Sequence, residues 1–188
     1  MTLATTRVPR LRKGTRGGRV PIYAVAAGHD GPVDPVRIVS SGPDPAAVER
    51  LVRDLPDWFG IEESVAEYVA DAALLPTYLA FVDGEHQAVG ALLVKRHYPQ
   101  AAELHLLVVT PRLHRRGVGH ALVAAAENDL RAEGCRFLQV KTQGPSRPDE
   151  GYAKTLAFYL ASGFSPLEEI HGLWPENPCL ILVKTLDG

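Results

Sequence analysis

Residues 114–119 read His-Arg-Arg-Gly-Val-Gly, between an apolar run from Leu104 to Val109 and a stretch in which Val118, Leu122, Ala126 and Leu130 fall four apart. That pattern predicts a strand, a turn and a helix, with Pro111 ending the ladder because it has no N–H to give. Two glycines let the backbone come close to a ligand. The first N–H groups of a helix have no partner inside it and point outward with the positive end of the dipole. Arg115 and Arg116 add formal charge. The chemistry this spacing serves is the holding of a phosphate. Just upstream, Glu103 and His105 are two apart on the same strand, so their side chains share a face unless a bulge intervenes. A carboxylate and an imidazole placed together are candidate proton acceptors, and an imidazole acts near neutral pH without a large shift.

Competing phosphate loops fit less well. A Walker loop ends in Gly-Lys-Ser/Thr, which is absent here, and a dinucleotide fingerprint needs a third glycine where Leu122 stands.

The elements that must position these residues follow from pattern. Val36 to Val39 reads as a first strand, and Asp44-Pro45 as an N-cap and first helical position opening a helix to about residue 54. Leu55 to Gly60 breaks it, and a second helix runs from about Ile61 to Leu75. Tyr78–Val82 and Ala88–Lys95 alternate as a hairpin around Asp83-Gly84. The strand of Leu104 to Val109 is expected to be buried on both faces. After the long helix, whose Glu127, Asp129 and Arg131 point away from the apolar stripe, Cys135–Lys141 reads as a parallel strand. Gly144 to Asp149 is a proline-rich loop, Tyr152–Leu160 a helix closed by Ser162-Gly163, Phe164 the start of a strand and Leu180–Val183 the last strand.

A chain of 188 residues with 46% hydrophobic content is ample for one α/β domain. The formal net charge is −2, but residues 1–19 hold six basic residues and no acid, which leaves 14 basic against 22 acidic in the rest. Such a body argues against a nucleic-acid groove and favours a cationic partner. Residues 1–35, rich in Arg, Gly, Thr and Pro, read as a flexible arm, and 36–188 as the domain. Cys135 and Cys179 fit neither a metal spacing nor a disulfide framework. No apolar run reaches the ~18 residues of a membrane helix, and the N-terminus has no hydrophobic core of a signal peptide. A cytoplasmic protein without membrane or nucleic-acid partners is expected.

The stretch LLVVTPRLHRRGVGHAL resembles the strand–Pro–loop–Gly-x-Gly–helix signature of the GNAT acyl-CoA N-acetyltransferases, with His114 where that family usually has Gln or Arg. Residues 157–164, AFYLASGF, are similar to its second motif, a helix ending in Tyr followed by Gly-Phe. The resemblance implies an α/β fold with a mixed, mostly antiparallel, splayed sheet of about seven strands flanked by about four helices. It implies acetyl-CoA as donor and acetyl transfer to a primary amine. Backbone groups of Leu107, Val108 and Val109 would pair with the pantetheine arm, and His114, Arg115, Arg116, Gly117, Val118, Gly119 and His120 would surround the pyrophosphate. Tyr152 stands where the family often has Asn. Tyr159 would protonate the leaving thiolate. Glu103, ahead of His105, would take the amine proton, directly or through water. An acceptor pocket is expected from Trp58, Phe59, Glu62, Glu63, His97, Tyr98, Glu168, Glu169, His171 and Trp174. Aromatic walls with carboxylates suit a small cationic amine, with an aminoglycoside-type antibiotic first and a protein N-terminus or lysine second. The bland alternative makes Trp58 and Phe59 core or dimer contacts and the glutamates a solvated face. A homodimer belongs to the same resemblance, and a non-catalytic acyl-CoA sensor is the reading from another class.

Overall fold

The computed structural model describes residues 35–175 and 177–186. The arm expected over residues 1–35 therefore lies outside the described residues, apart from Pro35. The elements run β1 (Val36–Ser41), α1 (Pro45–Arg53), α2 (Glu62–Ala72), β2 (Thr77–Val82), β3 (Gly90–Tyr98) and β4 (Ala101–Val109). A short 3-10 turn, Pro111–Leu113, leads to α3 (Val118–Ala132), β5 (Phe137–Gln143), α4 (Glu150–Ala161), β6 (Ser165–Ile170) and β7 (Cys179–Thr185). One seven-stranded sheet has the order β1-β2-β3-β4-β5-β7-β6. Every neighbouring pair is antiparallel except β4 and β5. The mixed, mostly antiparallel sheet with four helices matches the expectation from sequence. No helix among the described residues is long and apolar enough to cross a membrane.

Asp44 caps as read, its side chain accepting the Ala47 N–H at 3.1 Å. Asp149, read as the end of a loop, is the cap of a helix that starts at Glu150, and it accepts the N–H of Tyr152 at 2.9 Å. Asp83-Gly84 is not a tight hairpin turn: it opens a longer connection, which closes where Val89 N–H donates to Ala80 O at 2.8 Å. β4 begins two residues before Glu103, because Ala101 already pairs with Tyr98 across a short turn.

Two apolar layers sandwich the sheet. α3 and α4 cover one face, around Ile38, Leu92, Leu104, Leu122, Leu138 and Leu182. α1 and α2 cover the other, around Val48, Leu51, Leu79, Leu93, Leu106 and Val108. Leu104 and Leu106 are two apart yet belong to opposite layers. The β3–β4 register slips there, pairing Leu93 with Leu106 and Val94 with Leu104, so His105 is the extra residue of a bulge. The strand expected to be buried on both faces is instead half-buried at His105, Leu107 and Val109. Glu127, read as pointing to solvent, is buried, and accepts from Lys184 Nζ at 2.6 Å and Arg131 Nη2 at 2.9 Å. Burial there is tolerable because both oxygens are paired with cations.

α3 packs on the layer that holds Leu92 and Leu104. Leu122, fully buried, lies against the start of β3, where a Cβ added at Gly90 would meet its Cδ1 at 3.2 Å. Leu122→Ala is expected to lower stability by about 2–5 kcal/mol, read as an earlier midpoint at unchanged slope in urea unfolding.

Candidate active site

β4 and β5 pair only from Ala101–Phe137 to Leu104–Val140, although β4 continues to Val109 and β5 to Gln143. Beyond Leu104 the two strands part, and the β5-facing backbone edge of β4 has no strand partner. At the far end of this opening the chain turns into α3. Gly117 caps that helix with φ +81° and no side-chain hydrogen bond, and Arg115 takes the left-handed region too, at φ +61°. The first backbone N–H of the helix to find a partner is that of Ala121, on Gly117 O at 2.9 Å. The amides of Gly117, Val118, Gly119 and His120 are left facing outward without a backbone acceptor among the described residues, in a conformation that suits an anion. Gly119 serves another purpose: a Cβ there would press on the Phe158 ring of α4 at 3.1 Å. Arg115 and Arg116 are exposed and carry no ion pair among the described residues. These residues fit a pyrophosphate. His114 does something different from the expected anion contact, since its Nε2–H donates to Val109 O at 2.8 Å and ties the loop to the strand end. The His120 ring packs on Phe158 at 4.7 Å, and loss of water on that side pushes its pKa down.

The second half of the site lies at the bulge. Glu103 is 5% exposed, and one oxygen, Oε2, accepts from three donors: His97 Nε2 at 2.7 Å, Lys141 Nζ at 2.7 Å and Gln139 Nε2 at 2.8 Å. Burial alone would raise its pKa, but the three donors on Oε2, Lys141, His97 and Gln139, more than reverse that and hold it well below the usual carboxylate range. Its other oxygen, Oε1, has only His105 Nδ1 near it, at 3.7 Å, beyond hydrogen-bond reach. His105 Nε2 lies 2.6 Å from Asp71 Oδ2 of α2. A carboxylate only accepts, so Nε2 carries the hydrogen and Nδ1 of the neutral ring keeps its lone pair. Glu103 and His105 face the same way despite the bulge.

Three tyrosines close the space. Tyr159, at the end of α4, is 7% exposed, and its phenol is pushed upward by burial and then by Tyr68. Its hydroxyl makes no hydrogen bond among the described residues, where no sealed side-chain polar atom lacks a partner, so that hydroxyl reaches solvent. Tyr68 of α2 lies 5.7 Å from both the His105 and Phe59 rings, and burial, then Tyr152, raises its pKa. Tyr152 lines a cleft of about 410 Å³ along the start of α4, together with Gln143, Arg147 and Leu156. Trp58, 38% exposed, bridges the two sides of the opening: its ring is 6.3 Å from His114, and a Cβ on Gly151 would meet it at 3.4 Å.

The other expected acceptor residues are scattered. His97 joins Glu103, but Tyr98 is 70% exposed at the β3–β4 turn, the opposite end of β4 from the phosphate loop. Glu62 is taken by Arg53 at 2.8 and 3.1 Å, and Glu63 is exposed beside it. Glu169 accepts from Ser146, which ties the β5–α4 loop to β6. Glu168 and His171 are exposed and Trp174 half-buried at that edge.

Residues 46–164 match the sequence profile of the Acetyltransferase (GNAT) family. The chain belongs to the GNAT family. As a member it is an acyl-CoA N-acyltransferase, in a fold that binds acetyl-CoA generally. A GNAT-family acetyltransferase from Desulfovibrio desulfuricans has the same fold at 23% identity and TM-score 0.64, over 81% of this chain and 99% of that one. An aminoglycoside 6'-N-acetyltransferase complexed with coenzyme A matches at 19% identity and TM-score 0.63, over 80% and 97%. The ribosomal-protein-S18-alanine N-acetyltransferase from Escherichia coli matches at 16% and 0.64, over 81% and 95%. No curated protein matches the chain.

In this GNAT chain, reasoning from sequence missed Asp71, Tyr68, Gln139 and Lys141, none of which carries a local signal. The alternation of Gln139 and Lys141 along β5, on the face of Glu103, was the nearest thing to one.

The site makes two testable demands. An alanine at Gly117 must take a left-handed backbone, so Gly117→Ala should lose about 1–2 kcal/mol of stability and weaken coenzyme A binding in calorimetric titration. For Glu103 the folded pKa is depressed, so its contribution is complete above the unfolded carboxylate value, about 4.3, and drains as pH falls toward the folded one. Glu103→Gln, which also strips Lys141 of its counter-charge, should destabilise the protein by about 1–3 kcal/mol near pH 7. In thermal melts that gap should narrow by about pH 3.

Proposed function

We propose that this GNAT chain transfers the acetyl group of acetyl-CoA to a primary amine by direct attack within a ternary complex. The observation that carries this reading is the 3.7 Å gap between Glu103 Oε1 and His105 Nδ1, the one uncommitted acceptor on each side chain. One ammonium group beside the pair can donate to both. Glu103, held ionised, then serves to hold the positive charge. His105 Nδ1 is the better proton acceptor, since imidazole chemistry runs near neutrality. Free amine is the nucleophile, and removal of its proton is the step these two groups supply.

When bound, acetyl-CoA supplies an activated acetyl thioester and a thiolate as leaving group. The open amides of Gly117 to His120, with Arg115 and Arg116, would hold its pyrophosphate. The free edge of Leu107 to Val109 would take its pantetheine arm as a strand takes a neighbour, and backbone N–H groups near Val109 would polarise the carbonyl. Tyr159, kept neutral by burial, retains a proton for the departing sulfur.

A small cationic amine is the acceptor we put first, an aminoglycoside-type antibiotic among them. It draws support from the acidic body and from likeness to an aminoglycoside 6'-N-acetyltransferase. A protein amino terminus is the second reading, supported by an equal likeness to the ribosomal-protein-S18-alanine enzyme. Thiol release from acetyl-CoA against aminoglycosides, polyamines, amino acids and basic peptides tests both. Tyr159→Phe should lower kcat about a hundredfold while coenzyme A binding is retained. Turnover of that variant at the parental rate would remove Tyr159 as the acid. Binding of acetyl-CoA with no release against any amine would put an acyl-CoA sensor ahead.

A further inference from the structure

His105 is the residue that the β3–β4 ladder leaves unpaired. A paired strand residue has its side-chain direction set by the register, whereas a bulged one is aimed by whatever it meets. Here it meets α2. Asp71 lies 2.6 Å from Nε2, and Tyr68, three residues earlier and so on the same side of the helix, lies 5.7 Å from the ring at 60°. One residue bonds the edge of the ring and the other packs against it at a tilt. The carboxylate of Asp71 bonds no other side chain among the described residues, and a third of it is exposed.

The geometry points to Asp71 as a positioning residue for His105, a role that rests on reading His105 Nδ1 as the proton acceptor. An imidazole has two nitrogens, and the one that can take a proton is decided by the hydrogen bond the other makes. By accepting from Nε2, Asp71 keeps the lone pair of the neutral ring on Nδ1, the nitrogen that faces Glu103 Oε1 across the 3.7 Å gap. On reaction a proton leaves the amine nitrogen for Nδ1, and the imidazolium that forms has Asp71 on one side and Glu103 on the other. No group of the chain changes oxidation state and no co-reactant is needed. Without Asp71 the ring is free to turn or to exchange tautomers, and either presents an N–H where a lone pair is required.

The test combines a spectroscopic and a kinetic reading. In ¹⁵N-histidine-labelled protein the His105 signals, identified by their loss in His105→Gln, should report hydrogen on Nε2, and Asp71→Asn should give a mixture of tautomers. With an active amine, Asp71→Asn should lower kcat about a hundredfold and leave KM for acetyl-CoA within about twofold. Asp71→Glu, which restores a carboxylate, should recover part of that loss. Hydrogen on Nδ1 in the parent protein would overturn the proposal without any variant. So would an Asp71→Asn protein with parental kcat, whatever its tautomer, since a mere tie between α2 and β4 would show as altered stability alone. If His105→Gln turned over at the parental rate, the proton-acceptor reading itself would fall. A slow His105→Gln beside an unimpaired Asp71→Asn would remove only Asp71.

Discussion

Everything in the site depends on where β4 stops pairing with β5. Through Leu104–Val140 the two strands form a parallel ladder, and past it they diverge. Backbone N–H and C=O groups inside a sheet are obligatory hydrogen-bonding groups, so an opened ladder is tolerable only if something else meets them. Water can do so in part, Val109 O has the His114 ring, and an extended ligand arm can do the rest. The same divergence aims the open amides of α3 at one end of a slot whose other end is the bulge.

Electrostatics divides the bulge end into parts with different freedom. Lys141, Gln139 and His97 all converge on one oxygen of Glu103, which stabilises the buried carboxylate and fixes its rotamer. The other oxygen keeps its acceptor capacity. Asymmetry of this kind lets one side chain be structural on one edge and chemical on the other. Tyr159 is the complement: a phenol that burial keeps protonated, in contact with Phe158 and Phe164 at 5.2 and 5.7 Å. A group held ionised and a group held neutral are separated by environment alone.

Aromatic contacts join the helices to this centre. Phe59 meets Tyr68 edge-to-face and Tyr68 meets His105 at a tilt, a run from the α1–α2 connection to the bulge, while Trp58 touches both the His114 loop and the start of α4. The α1–α2 segment is thereby tied to the donor side and the bulge at once. The glutamates of that segment are not: Glu62 is held by Arg53 on the surface. The charge of Glu62 is thus met by Arg53 and not presented to a ligand.

The order of elements, the Asp44 cap, the glycine turn before α3 and the tyrosine motif could all be read in the amino-acid sequence, because each rests on interactions within a few residues. Asp44 caps its own helix, Gly117 bends its own turn, and apolar spacing along α3 needs no knowledge of its neighbour. Tertiary structure decided what depends on distant partners. The bulge at His105 arises from a one-residue slip against β3 and is invisible in a run that reads as continuous strand. The burial of Glu127 needs Lys184, 57 residues on, and the alignment of His105 needs Asp71, 34 residues back. Sequence alone put Glu103, His105 and Tyr159 forward, and not Asp71, Tyr68, Gln139 or Lys141. Only folding decided which atoms of Glu103 and His105 were left uncommitted, because a hydrogen bond is set by geometry that no local pattern encodes.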